Sequence, residues 1–164
     1  MRKGPWMSTN YLLAIAVGIG IVAGLRALTA PAAVSWAAHL GWLNLQGTLL
    51  AFMGSTIAVA IFTIAALAEY VTDQLPKTPA RTVPPQLIAR LVMGGLSGAC
   101  IYASGSQSLL VGAILGAVGV LIGTFGGYQL RTRLVRSLKV KDIFVAIPED
   151  LVAIGLAYWF VSAR

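Results

Sequence analysis

Apolar residues fill long stretches of this chain, and the polar ones gather between them. A helix needs about 20 apolar residues to cross the hydrocarbon of a bilayer. The pattern divides accordingly into runs at 11 to about 38, 49–70, 85–104, 109 to about 130 and 143–162. The first carries Arg26 and Pro31, the third Arg90 near its start, and the last Pro148, Glu149 and Asp150 in its first half. "SGSQS" at 104–108 makes a turn between the third and fourth. The expected fold is an all-α transmembrane bundle of about five crossings in a single domain over 1–164.

The stretch from about 29 to 45 fits least well, because it holds more apolar sequence than one first helix requires. Thr29, Pro31, Gly41 and Gly47 interrupt it, so the pattern predicts a broken, re-entrant or interfacial segment there, with Trp36 and Trp42 at the outer interface. "MRKGPW" resembles the start of a signal peptide, but the apolar run behind it continues through Pro31, and we read it as retained.

Composition sharpens the class. Among 164 residues, 58% are hydrophobic and 10% charged, against roughly 45–50% and about 25% in soluble domains; too little charge remains to cover a water-facing surface. The net charge of +7 comes in short clusters between apolar runs, as topogenic charge does, and does not point to nucleic acid. Cys100 is the single cysteine, which leaves no intrachain disulfide and no cysteine metal cluster. His39, alone near an outer loop, makes no metal site.

The loops set an orientation. Arg2 and Lys3, then Lys77 and Arg81, then Arg131, Arg133, Arg136, Lys139 and Lys141 make three basic segments, whereas 39–48 and 104–108 hold no Lys or Arg. Five crossings put all basic segments on one side, the cytoplasmic side of an inner (plasma) membrane, with the N-terminus inside and the C-terminus outside. A six-crossing path from the same start would place the Lys77–Arg81 loop outside, against its charges.

Glycines recur at helical spacing. Gly20 and Gly24, Gly94 and Gly98, and the series Gly112, Gly116, Gly119, Gly123 and Gly126 form seams on which a second backbone can pack closely. Either the seams pack within the chain or they join copies into a homo-oligomer. A faint internal echo, "GIVAGLRAL" and "GTFGGYQLRTRL", places a Gly-rich helix before an arginine twice, each followed later by an acidic pair.

The charges inside apolar runs carry the chemistry. An ionised group at the bilayer centre costs about 2.5–3.5 kcal/mol even on a lenient scale, so these groups need partners. Glu69 and Asp73 share a helix face at i, i+4. Glu149 and Asp150 lie about 10 Å into the last run and Arg90 roughly 8 Å into the third, depths that let them meet. The proline-rich "DQLPKTPARTVPPQ" is expected to hold Lys77 and Arg81 over the helix ends as an extended strap. The candidate ion- or ligand-binding set is therefore Arg26, Glu69, Asp73, Arg81, Arg90, Glu149 and Asp150, with no catalytic triad, Walker loop or dinucleotide fingerprint in the chain.

Three segments, "AGLRALTAP", "ALAEYVTDQLP" and "IPEDLVAIGLA", resemble the small bacterial membrane family described as domain of unknown function forty-one twenty-six, across nearly the whole chain. That resemblance implies a multi-pass membrane protein marked at Arg26, Glu69, Asp73, Glu149 and Asp150; it implies no activity. The family commonly has lysine after the aspartate, where this chain has Gln74.

From the residues we expect a permease- or channel-like protein, not an enzyme, that needs no cofactor and binds an ion, a proton or a small polar or anionic solute at a cytoplasm-facing carboxylate–arginine cluster. Two alternatives stand beside it. One is an enzyme acting on lipid headgroups, with the four carboxylates holding a divalent cation. The other is an accessory or assembly subunit whose ion pairs only fix helix order.

Overall fold

A computed structural model describes residues 8–73, 82–138 and 143–162. Lys77 and Arg81, with residues 74–81 of the expected strap, fall outside the described residues, as do Arg2, Lys3, Lys139 and Lys141; the strap's Pro84 and Pro85 begin a helix instead of an extended connection.

The described residues form six α-helices and no strands: α1 (Thr9–Leu25), α2 (Thr29–His39), α3 (Thr56–Thr72), α4 (Pro84–Ser104), α5 (Leu109–Leu138) and α6 (Ile143–Ser162), with a short 3-10 helix, Ala51–Gly54, before α3. Ser8 and Ser55 cap α1 and α3 by accepting from the amides of Tyr11 and Ala58, and two prolines open α4, where a missing amide costs no helix bond. Three helices, α4 to α6, are long and apolar enough to cross a membrane; α1 and α3 are apolar but shorter. The outward faces bear Ile61, Ile64 and Leu67 on α3, Ile114, Ile122 and Phe125 on α5, and Leu151 and Trp159 on α6. Such continuous apolar exposure is the surface a bilayer covers.

The first expected crossing is in fact two helices. Arg26 adopts an extended conformation (φ −139°, ψ 110°) at the end of α1, and Pro31 has no amide to carry the helix back through residue 27. Instead of continuing, the chain reverses. Thr29 meets Tyr70, Trp36 meets Thr63 and His39 meets Gly54, so α2 runs antiparallel to α3. The second run likewise starts later than its hydropathy suggests, since residues 40–50 form a loop, with Leu43 and Leu45 buried.

The direction of the remaining helices follows from their glycines. Gly119 lies against Val17 and Gly20, and Gly123 against Ile21, so α5 runs parallel to α1; Gly94 lies by Ala23 and Gly105 by Leu12, so α4 runs antiparallel to both. Phe160 packs on Gly18 while Asp150 reaches Arg26, which makes α6 antiparallel to α1 too. One end of the bundle therefore gathers residues 25–29, 69–73, 84–90, 124–131 and 149–150. The other gathers Thr9, residues 40–55, the 104–108 turn and Ser162.

The added reversal at Arg26 leaves Asp73 and the start of α4 at the same end as Arg131, Arg133 and Arg136, and the start of α1 at the opposite end, beside the neutral turn. A single first crossing would instead have put the start of α1 at the same end as Arg131.

Glycine seams join α1, α4 and α5 inside the chain. A methyl group on Gly116 would strike the Gly94 carbonyl, one on Gly98 the Gly112 carbonyl, and one on Gly20 the Gly116 carbonyl. Close backbone approach replaces the hydrophobic drive that lipid does not supply. Four of the five α5 glycines are thus engaged within the chain, and Gly126 alone of that series faces open space. Of the two readings its spacing allowed, the seam packs within the chain, against the protein's own helices. Around it the core holds Ile19, Val22, Cys100, Ile101 and Val120.

A charged junction at the helix break

The reversal at residues 26–28 leaves two helix ends inside the bundle, and each would expose unsatisfied backbone groups. The carbonyls ending α1 meet donors: Arg90 of α4 donates to Gly24 at 2.9 Å and reaches Ala23 at 3.5 Å, and the Thr124 hydroxyl of α5 donates to Gly24 at 3.3 Å. The amides opening α2 meet an acceptor, because the two Glu69 carboxylate oxygens take the Ala27 and Leu28 N–H groups at 2.8 Å each. A cation therefore sits at the negative end of one helix dipole and an anion at the positive end of the next.

Arg26 occupies the gap between them and is fully buried, at 0% exposure. Its Nε donates to Asp150 Oδ1 of α6 at 2.6 Å, and Nη2 also pairs with that oxygen. Nη1 pairs with Asp73 at the end of α3. The Tyr70 ring covers the guanidinium at 5.4 Å from its centroid, and the Tyr70 hydroxyl lies 2.6 Å from Thr29 Oγ1. Arg90, 2% exposed, stands 3.8 Å from Glu69 and 4.0 Å from Asp73. One planar fork thus ties α3 to α6, and a second ties α4 to α1 and α3.

Five of the seven residues singled out in the sequence converge here: Arg26, Glu69, Asp73, Arg90 and Asp150. Glu149 does not join them. It turns aside to Arg131 of α5, 3.3 Å away, because successive helical residues point about 100° apart. Arg81 lies outside the described residues. Sequence reasoning read Arg131 as topogenic charge and as part of the echo, and gave no place in the site to Tyr70, to Thr29 beyond its part in the break, or to Thr124. A polar side chain one helical turn from Arg26 or Arg90, or at the same depth in a neighbouring run, is the signal that marks the last two. α1 and α5 are parallel neighbours, and their arginines, Arg26 and Arg131, take the adjacent acids Asp150 and Glu149 of α6.

Among the described residues, no group of three or more His, Cys, Asp or Glu side chains is placed to hold a metal ion; the carboxylates of the junction turn to guanidinium and amide groups instead. His39 places Nδ1 3.0 Å from the Gly54 carbonyl and its ring edge against Trp36.

No curated protein and no solved structure matches the chain. The model of the family described as "Domain of unknown function (DUF4126)" matches residues 13–163, a span that takes in every charged residue of the junction, and the chain belongs to that family.

Proposed function

We propose that the protein is a small carrier of the inner membrane that binds a proton or a small cation at the Arg26 junction, reached from the cytoplasm. The observation that carries this reading is a charge imbalance. Among the described residues the junction holds Glu69, Asp73 and Asp150 against Arg26 and Arg90, one anion more than cations. A net charge in low dielectric is expensive unless neutralised, and ionisable groups within membrane spans commonly mark ion pathways. Broken helices with opposed dipole ends are the usual frame for such sites in transporters. The same imbalance favours a cationic ligand over an anionic one.

Asp73 is the most open of the three carboxylates, at 17% exposure against 10% and 11% for Glu69 and Asp150, and is the natural point of entry. Neutralising it would loosen its pairing with Arg26, and with it the polar tie between the end of α3 and α6. The site end carries Arg131, Arg133 and Arg136, which supports a cytoplasmic placement. Any pairing of two copies falls to the outward faces, since the glycine seam is occupied.

Purified protein in vesicles with a trapped pH indicator tests the proposal. An imposed Na⁺ or K⁺ gradient should drive proton movement that Asp73→Asn and Glu69→Gln abolish while both variants stay folded. Wild-type vesicles no more permeable than empty ones would leave the junction as a structural clasp, the role of an accessory subunit.

A further inference from the structure

Away from the charges, α3 and α6 flank α2 on opposite sides with no extended packing between them. Over α2 they leave a groove of about 350 Å³. Its floor is Ala33 and Ala37 of α2, one wall is Ala66 and Leu67 of α3, and the other is Ile154 and Ala157 of α6. Alanines make the space, because each withholds the side chain that would have filled it.

Three properties identify what fits. No charged side chain lines the groove, and four of its polar side chains pair off: Thr29 with Tyr70 at 2.6 Å, and Trp36 with Thr63 at 3.0 Å. No polar ligand is called for, since a buried polar atom without a partner is costly on either side of the contact. The second property is size. At about 350 Å³ the groove falls at the low end of the roughly 300–1,000 Å³ of small-molecule pockets, room for one slender chain. The third is its surroundings: Leu67 and Ile154 on its rims are 59% and 48% exposed, on the apolar surface that faces lipid.

We propose that the groove binds one hydrocarbon chain of a membrane lipid, laid along α2 between the Thr29–Tyr70 hydroxyl pair and the Trp42–Tyr158 ring pair, whose centroids are 6.1 Å apart. The chain completes the packing that α3 and α6 do not make, since van der Waals contact is what holds helices together in lipid. This site is distinct from the junction and stands whether or not the protein moves ions.

The test is photocrosslinking of the full chain in phosphatidylcholine vesicles doped with a phosphatidylcholine carrying a diazirine in mid-chain, with labelled residues mapped by mass spectrometry. Labelling at Ala33, Ala37 and Leu67 should saturate as the doped fraction rises. Labelling at Ile114 and Ile122 of α5, which face lipid directly, should rise in proportion. Ala33→Phe and Ala66→Phe each fill the groove, and either should abolish the saturable labelling while leaving that on α5 unchanged. Groove labelling that rises in proportion and ignores both substitutions overturns the proposal, as do crosslinks between copies at these residues with no lipid adduct. Because the groove carries no charge, Asp73→Asn should leave saturation intact. Saturable labelling in wild-type vesicles that show no ion movement would then fail the carrier reading alone.

Discussion

Arg26 and Asp150 stand 124 positions apart in the chain, yet Arg26 Nε donates to Asp150 Oδ1 at 2.6 Å in a site with no exposure at the arginine. The contact closes the bundle by tying the turn after the first helix to the middle of the last.

Removing one partner of such a pair leaves a buried charge uncompensated, which typically costs about 3–5 kcal/mol. Arg26→Leu should lose that much, as it strands both Asp73 and Asp150. Arg26→Lys should recover only part of it, because an ammonium cannot serve two carboxylates from one planar fork. Adding Asp150→Asn to Arg26→Leu should cost less than the sum of the two single changes. Unfolding in detergent reads all four proteins, and a Leu variant as stable as the parent would mean that Arg26 is not the tie described.

Glu69 acts on backbone rather than on charge alone. Glu69→Ala leaves the Ala27 and Leu28 amides without an acceptor, at about 1–3 kcal/mol for each unsatisfied group. Glu69→Gln keeps one carbonyl oxygen for one of them and should cost distinctly less. Hydrogen exchange at those two amides should accelerate in the order Gln, then Ala, with amides in the middle of α5 unchanged. Equal exchange in the two variants would show that the carboxylate does not cap α2.

The members of the junction were legible in the sequence because ionised groups within apolar runs need partners, and the candidates at matching depths were few. The hairpin at Arg26 was not, since hydropathy is the same on both sides of the turn and records neither direction nor reversal. Pro31 and Thr29 marked a break, but its consequence depends on Glu69 and Arg90 being in place to satisfy the freed backbone. Partners such as the Gly24 carbonyl and the Leu28 amide have no sequence signature at all. Arg131 was hidden among other basic residues, where its charge had a sufficient explanation as topology, and the pairing of Glu149 with it follows from a side-chain direction that depth alone does not give.

The glycine seam yields a contrast within one helix. Gly116→Ala pushes a methyl group into the Gly94 backbone, which cannot yield as a side chain would, and overpacking of this kind costs about 1–3 kcal/mol. Gly126→Ala meets nothing within 4 Å and should be neutral, or stabilising by up to about 1 kcal/mol from helix propensity. Thermal unfolding of the two variants side by side decides the matter. If they behave alike, α5 is not held against α4 and α1 by backbone contact.

The hairpin also fixes which ends of the chain share a side. At 1.5 Å per residue the 30 residues of α5 span about 45 Å, well beyond the roughly 30 Å of hydrocarbon, so the end bearing Arg131, Arg133 and Arg136 projects out of it. By its positive charge that end is expected on the cytoplasmic side. Thr9 lies at the other end, because Leu12 packs on Gly105 beside the neutral turn. In a Cys100→Ala background, where the one native thiol is gone, Thr9→Cys and Ser108→Cys should react with a membrane-impermeant maleimide in intact cells, and Ser137→Cys only after permeabilisation. All three positions are exposed, so access is decided by side and not by burial. Should Thr9→Cys behave like Ser137→Cys, α1 would have to enter from the charged end, and its last carbonyls could not then meet Arg90.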